Sequence, residues 1–487
     1  MSEVGTMVEI QSHIGGGQVP SHRPETLQVI NPATAEAIGS VPVGDAKDVD
    51  DAVAAARTAW PAWAEMPAQQ RANCLHGLAD LIEANADTLA RAETDDNGKP
   101  YALAREFEIP RAAANFRFFA GAILHANSDA FDLGGQGMNY TLRRPRGVAG
   151  CISPWNLPLY LFTWKVAPAL ATGNTVVAKP SEMTPLSASI LGQLIPEAGF
   201  PAGVFNIVHG RGDTVGARIV EHPDVPTITF TGGTETGAQI ARVAGPMFKR
   251  MSLELGGKNP LIVCEDADIE TAMPTIVRAC FQNSGQICTC ASRILVHRER
   301  LKGFMARFLD CVSALKVGDP LEAETDLGPL VSHAQREKVE AAIALAREEG
   351  ATVACGGNRP TNLPERVRNG AFLEPTVLMG LDQTCATNQE EIFGPLVTVQ
   401  GFDTHHEAVQ RANAVNYGLA CSIWTKDLNR AHRMAAMIDA GMTWVNGWML
   451  RDLRTPFGGM KQSGVGREGG NEALRFFTEP RSITIGY

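Results

Sequence analysis

Between residues 147 and 264 short apolar strands alternate with helical segments, and this alternation constrains the fold more than any other feature of the chain. Strands are predicted at 147–152, 174–178, 204–208, 225–230 and 261–264, with helices at about 185–198, 213–221 and 235–244 between several of them. That order is the signature of a parallel, doubly wound α/β sheet. A second alternation follows Cys288, with strands near 292–297, 395–402, 420–424 and 442–446 and helices near 299–315, 332–349, 405–415 and 427–440. Two α/β domains are therefore expected, meeting near residues 250–265. Ahead of them, 46–60 and 68–92 read as amphipathic helices, the second with Leu75, Leu78 and Ile82 on one face. Their stop signals are Pro61 and Asn97-Gly98-Lys99-Pro100, and both helices read as scaffold without chemistry. The stretch Arg481-Ser-Ile-Thr-Ile-Gly-Tyr487 alternates like an edge strand that could pair with another subunit.

A chain of 487 residues that is 44% apolar can bury a large core and suggests two or three domains. Lys and Arg total 43 against 53 Asp and Glu, a net charge of −10 with no basic run, which disfavours nucleic acid or an anionic membrane as partner. Small-molecule chemistry is the better expectation. The ten cysteines show neither C-x-x-C nor disulfide-framework spacing, so a reducing cytoplasm is expected. Met1-Ser-Glu-Val-Gly5 lacks the pattern of a secretory signal. The most apolar region, 151–178, is interrupted by Pro154, Pro158, Lys165, Pro168 and Asn174, unlike a membrane span.

Four segments carry residue types suited to chemistry. Phe281-Gln-Asn-Ser-Gly-Gln-Ile-Cys-Thr-Cys290 offers Cys288 as a nucleophile, because a thiolate is the strongest nucleophile among side chains near neutral pH if its pKa falls below roughly 8.5. On this segment alone, two small buried hydrophobes at 288 and 290 are an equal reading, and no second Cys or His pair supports a metal. Leu253-Glu-Leu-Gly-Gly-Lys-Asn-Pro260 sets Glu254 in an apolar strand, where desolvation would raise its pKa towards general-base range. A glutamate satisfied by backbone amides is the alternative there. Pro154-Trp-Asn-Leu-Pro158 holds Asn156 between two prolines, as an amide donor to an oxyanion or as a turn-stabilising residue. Gly232-Gly-Thr-Glu-Thr-Gly237 follows a strand and opens a helix, suited to a pyrophosphate or simply to a tight turn.

Together these segments resemble the aldehyde dehydrogenase superfamily over nearly the whole chain. Pro154-Trp-Asn-Leu-Pro, Ala178-Lys-Pro-Ser-Glu182, Phe230-Thr-Gly-Gly, Leu253-Glu-Leu-Gly-Gly-Lys, Gly285-Gln-Ile-Cys and Glu390-Glu-Ile-Phe-Gly-Pro395 occur in the family's order and approximate spacing. The resemblance implies a Rossmann-like NAD-binding domain (1–123 and 146–253), an α/β catalytic domain (254–446) and a small oligomerisation arm (124–145 and 470–487). Residues 447–469 would return to the NAD-binding domain and form the substrate mouth, and the assembly would be a homodimer or homotetramer. It further implies Cys288 as nucleophile, Asn156 with the Cys288 backbone N–H as oxyanion site, and Glu254 as activator of water. The NAD site would use Ile152, Trp155, Lys179, Glu182, Gly232, Gly233, Glu391 and Phe393, and no metal. Lys179 and Glu182 would hold the adenosine ribose, and Glu391 the nicotinamide ribose beside Phe393. Gly233 departs from the serine of many relatives, leaving the pyrophosphate to backbone amides, and Cys290 receives no catalytic role.

The expected reaction is NAD-dependent oxidation of an aldehyde to its acid, through a thiohemiacetal and a thioester on Cys288. Acyl transfer to a thiol such as coenzyme A would use the same cysteine, but Glu254 favours water. A catalytically silent binding or structural protein on this fold would have no need of Cys288, Glu254, Asn156 and Glu391 together. Two arginine-bearing segments, Ile109-Pro-Arg-Ala-Ala-Ala-Asn-Phe-Arg-Phe-Phe119 and Trp448-Met-Leu-Arg-Asp-Leu-Arg-Thr-Pro456, resemble those of the 2-aminomuconic and 2-hydroxymuconic semialdehyde dehydrogenases. That implies Arg111 and Arg451 at the substrate mouth, pairing with a carboxylate of a small semialdehyde. Arg117 and Arg454 fit surface salt bridges better. Ile152-Ser-Pro-Trp-Asn-Leu-Pro-Leu-Tyr160 and Ala112–Arg117 lean towards the aminomuconic group.

Overall fold

Strand order in the first large sheet already marks where a ligand can enter. The computed structural model describes residues 7–487, so the reading of Met1–Gly5 lies outside the described residues. From one edge the sheet runs Gly464–Val465, Arg250–Glu254, Thr227–Thr231, Val148–Ile152, Thr175–Lys179, Phe205–Ile207, Ser12–Ile14, Gly17–Val19. Its five central strands are parallel. The chain starts this parallel set at Val148–Ile152, moves outward on one side, then returns to lay Thr227–Thr231 on the other. The order therefore reverses between those two strands, and a crevice opens at their C-terminal ends. Val148–Ile152, Thr175–Lys179 and Thr227–Thr231 are buried throughout, as helices on both faces require.

The second sheet runs Thr352–Cys355, Thr376–Met379, Leu396–Phe402, Ala291–His297, Asn259–Val263, Ala420–Trp424, Met442–Val445, with only the first strand antiparallel. Residues 255–258 carry the chain straight from the end of Arg250–Glu254 to the start of Asn259–Val263. The C-terminal ends of one sheet thus face the N-terminal ends of the other. A third, small sheet pairs Ala130–Asp132, Gly137–Pro145 and Thr478–Gly486, so the alternating stretch near residue 481 is an edge strand bound to its own chain.

Two helix ends differ from the sequence reading. The first helix is Ala46–Glu65 and passes through Pro61. Burial outweighs the proline there: Trp63 is 1% exposed, donates from Nε1 to Leu170 O at 3.2 Å and packs on Phe200. The span 68–92 divides into Ala68–Ala84 and Ala86–Asn97, because Asn85 leaves helical geometry and turns its side-chain amide onto Leu81 O at 2.8 Å. Gly98, with φ of 87°, closes the second of these as a left-handed cap. Among the described residues no helix is long and apolar enough to cross a membrane.

Candidate active site

A cavity of about 210 Å³ lies where the two sheets meet, lined from the first by Trp155, Asn156, Gly232 and Gly233 and from the second by Cys288, Glu391 and Phe393. Asn156 follows Val148–Ile152, the glycines follow Thr227–Thr231, and Cys288 and Glu391 precede Ala291–His297 and Leu396–Phe402. Residues far apart in sequence share the cavity because they sit at facing strand ends.

Cys288 is half-buried and follows three consecutive left-handed residues, Asn283 (φ 53°), Ser284 (φ 54°) and Gly285 (φ 72°). Two non-glycine residues in that region store strain, which the surroundings hold in place. Asn283 Nδ2 donates to Asn156 O at 3.0 Å, Ser284 Oγ to Gly328 O at 2.8 Å, and Val331 N to Gln286 Oε1 at 3.0 Å. At Gly285 a Cβ would fall 2.1 Å from Gly394 O, so only glycine fits. The Cys288 carbonyl is anchored by Asn259 Nδ2 at 2.7 Å. Burial, then the charges of Glu391 and Glu254, push the Cys288 thiol far up, so this resting arrangement holds it protonated. Cys290 is buried, its thiol pushed up to about 12 by burial.

Asn156 is 3% exposed and donates from Nδ2 to Gln286 O at 2.9 Å. That bond fixes the amide plane and uses one of two hydrogens, leaving the other for the cavity. Glu254 is buried, and neither carboxylate oxygen has a hydrogen-bond partner among the described residues. Burial first, and Glu468 second, raise its pKa well above the usual carboxylate range. Sequence reasoning did not find Glu468 or Lys165: Lys165 Nζ donates to Glu468 Oε1 at 2.7 Å and to Thr229 Oγ1 at 3.1 Å, a buried pair close to Glu254. Their signal was the single lysine inside the apolar run 151–178, noted only as an interruption.

Further along the same C-terminal edge of the first sheet, Lys179 Nζ donates to Glu182 Oε2 at 2.8 Å, and Glu182 Oε1 accepts from Gly212 N at 3.1 Å. Gly233 precedes the helix Thr234–Ala244, and a Cβ there would meet nothing within 4 Å. Donor, acceptor and open space before helix N–H groups fit a dinucleotide's ribose and pyrophosphate. Ile152 ends its strand at 7% exposure, and Trp155 meets Phe393 edge-to-face at 5.3 Å. Glu391 Oε1 accepts from Gly257 N at 2.8 Å, and burial lifts its pKa to about 7.

The four arginines of the two singled-out segments divide sharply. Arg451 Nη1 donates to Tyr160 Oη at 3.0 Å, and its guanidinium lies 4.4 Å from the Trp164 ring and 4.0 Å from that of Phe457. Arg111 stacks over Tyr160 at 5.4 Å and Trp164 at 6.0 Å. The Nε and Nη2 atoms of both are buried with no acceptor among the described residues. Arg117 instead bonds Asp80 at 2.7 Å and Glu83 at 2.6 Å, and Arg454 bonds Asp452 at 2.6 Å. Two half-buried guanidinium groups with N–H donors unpaired among the described residues carry an electrostatic cost that an anion would relieve. Tyr160, which joins them, was missed as a site residue because a tyrosine in an apolar helix reads as core.

The model of the aldehyde dehydrogenase family matches residues 19–483 of the chain. The chain is 47% identical over 487 residues to 2-aminomuconic semialdehyde dehydrogenase of Danio rerio, covering 100% of each chain. It is 47% identical over 485 residues to 2-hydroxymuconic semialdehyde dehydrogenase of Pseudomonas sp. (strain CF600), covering 98% of this chain and 100% of the relative. A solved NAD+ complex of aldehyde dehydrogenase from Bacillus cereus superposes with a TM-score of 0.95 at 41% identity, covering 98% of this chain and 97% of that one.

Proposed function

We propose, from the fact that the chain belongs to the aldehyde dehydrogenase family, that this enzyme oxidises 2-aminomuconate 6-semialdehyde to 2-aminomuconate with NAD. The observation that carries the acidic substrate is the Arg111 and Arg451 pair, whose Nε and Nη2 groups are buried with no acceptor among the described residues. Two planar guanidinium forks can receive a carboxylate bidentately and hold the aldehyde end towards Cys288. The preference for the amino over the hydroxy substrate rests on the segments 152–160 and 112–117.

The site residues divide the work as follows. Cys288, once deprotonated, adds to the aldehyde carbon and forms a thiohemiacetal whose oxyanion takes the free Asn156 Nδ2 hydrogen and the Cys288 backbone N–H. NAD, when bound, supplies the hydride acceptor. The resulting Cys288 thioester is hydrolysed by a water that Glu254 deprotonates, and the raised pKa of Glu254 suits it to accept that proton. Lys179 and Glu182 would hold the adenosine ribose, Gly232 and Gly233 leave room for the pyrophosphate, and Ile152, Trp155, Glu391 and Phe393 would border the rest of the cofactor. Glu182 would repel a 2′-phosphate, so NAD is preferred over NADP.

The same reading assigns 1–123 and 146–253 to NAD binding, 254–446 to catalysis and 447–469 to the substrate mouth. It assigns 124–145 and 470–487 to an arm that joins a homodimer or homotetramer. Exposed Phe131, Leu133, Met138, Leu142 and Ile485 on that arm support a covering partner. A cytoplasmic location is supported by ten free cysteines.

NADH formation followed by absorbance tests the substrate assignment. Arg451→Ala and Arg111→Ala each raise KM for the muconic semialdehyde about tenfold or more and barely change a neutral aldehyde, whereas Arg117→Ala changes neither. Equal loss on both aldehydes would remove the arginines from substrate binding.

A further inference from the structure

The turn Asn97-Gly98-Lys99-Pro100 does more than end a helix. Asn97 Nδ2 donates to Trp155 O at 2.9 Å, and Lys99 Nζ donates to Asn156 O at 3.3 Å. Two successive carbonyls of the loop that carries the oxyanion donor are thus held by one turn. The Lys99 ammonium is completely buried and also bonds Glu108 and, at 3.0 Å, Glu93. Glu93 reaches the same loop from its far end, accepting from Leu159 N at 2.7 Å and from Ser187 Oγ at 2.9 Å.

The turn also touches the nucleophile's support. Gly98 is left-handed, and a Cβ there would fall 2.6 Å from Pro329. Its carbonyl lies against Gly328, whose own carbonyl accepts from Ser284 in the strained run before Cys288. Burying a lysine among carboxylates is expensive, and apolar side chains could fill the same volume. What apolar packing cannot do is fix the rotation of a particular peptide plane, which directed hydrogen bonds to consecutive carbonyls do. Burial alone would lower the Lys99 pKa, but Glu108 and Glu93 outweigh it and keep the ammonium charged.

We propose that Lys99, assisted by Asn97, is a positioning residue that fixes the Trp155–Asn156 peptides and thereby aims Asn156 Nδ2 at the substrate oxyanion. This rests on the reading of Asn156 as oxyanion donor. Such a donor is worth about 10²–10³ in rate, and misplacement by an ångström can forfeit about 10². Lys99→Met should therefore slow NADH formation in the first turnover by roughly tenfold to a hundredfold, with the NAD dissociation constant changed by less than about twofold.

The discriminating measurement is a double-mutant cycle on that single-turnover rate, using wild type, Lys99→Met, Asn156→Ala and the double variant. If Lys99 acts through Asn156, the double variant is as slow as Asn156→Ala alone. Losses that multiply would overturn the proposal. Asn97→Ala, which removes the shorter of the two hydrogen bonds to Trp155 O, the other being from Thr184 Oγ1 at 3.4 Å, without unpairing a buried charge, runs in the same cycle and answers the question even if Lys99→Met does not fold. An Asn156→Ala enzyme as fast as wild type would overturn the oxyanion reading itself, and this inference with it.

Discussion

The two large sheets use opposite edges. The first offers the C-terminal ends of its parallel strands to the cavity, as open α/β sheets do at a reversal of strand order. The second turns its N-terminal ends to the same cavity, and its C-terminal ends point away. At that far edge the charges saturate one another: Arg430 bonds Glu265 and Asp266, each at 2.7 Å, His405 bonds Glu265 at 2.8 Å, and Asp403 bonds Arg298. At the near edge and the junction the polar groups are unspent: both Glu254 oxygens and Lys258 Nζ are buried without partners among the described residues. A buried carboxylate and a buried ammonium without partners among the described residues therefore mark the near edge and the junction, which strand polarity alone does not reveal.

The strongest attempt to break this comparison is Cys288→Ala. It should reduce turnover by at least about 10⁴ and leave NAD affinity, read by fluorescence titration, nearly unchanged. Substantial residual turnover would remove the second sheet's near edge from the chemistry. Glu254→Gln should cut steady-state turnover by about 10²–10³ while still releasing one rapid equivalent of NADH, because hydride transfer precedes the water step. A missing burst with a slow first turnover would place Glu254 earlier in the reaction.

A smaller effect concerns the thiol itself. Burial first and ionised Glu391 second hold the Cys288 pKa up, so Glu391→Gln removes the second cause and raises the thiolate fraction at a given pH. Alkylation of the variant by iodoacetamide should be several-fold faster than that of the wild type above pH 7. Because Glu391 takes up a proton at about 7, the two rates should converge as pH falls through that value. Convergence at high pH instead would show the wrong sign. The smallest effect belongs to the far edge. Arg430→Met should lower the unfolding midpoint by a few degrees and alter turnover by less than about twofold, and a tenfold loss would contradict a merely structural edge.

Sequence patterning located four of the five central strands of the first sheet, each a short buried run framed by turns. The run 261–264 reads as part of the same alternation, whereas Asn259–Val263 lies in the second sheet and Arg250–Glu254, exposed at its start, completes the first. The strands at 352–355 and 376–379 escaped, each being only four residues long and the first also partly solvated, and Pro61 misled because the burial of Trp63 was invisible. At the site, Cys288, Glu254 and Asn156 stood in recognisable motifs, and the cavity brings Cys288 and Asn156 together. Lys165, Glu468, Lys99 and Tyr160 did not announce themselves. Each acts through a partner distant in the chain, and a single buried charge or ring carries no periodic signal.

The pairing of Gly137–Pro145 with Thr478–Gly486 has a consequence for how the protein is made. Asn139 and Ser482 are bonded across 343 residues of chain. While the ribosome is still producing those intervening residues, Gly137–Pro145 has only the short Ala130–Asp132 beside it, and its other flank stands open. Both large sheets can begin to form in that interval, but this one waits, and nascent chains crowded on one messenger carry the same open flank.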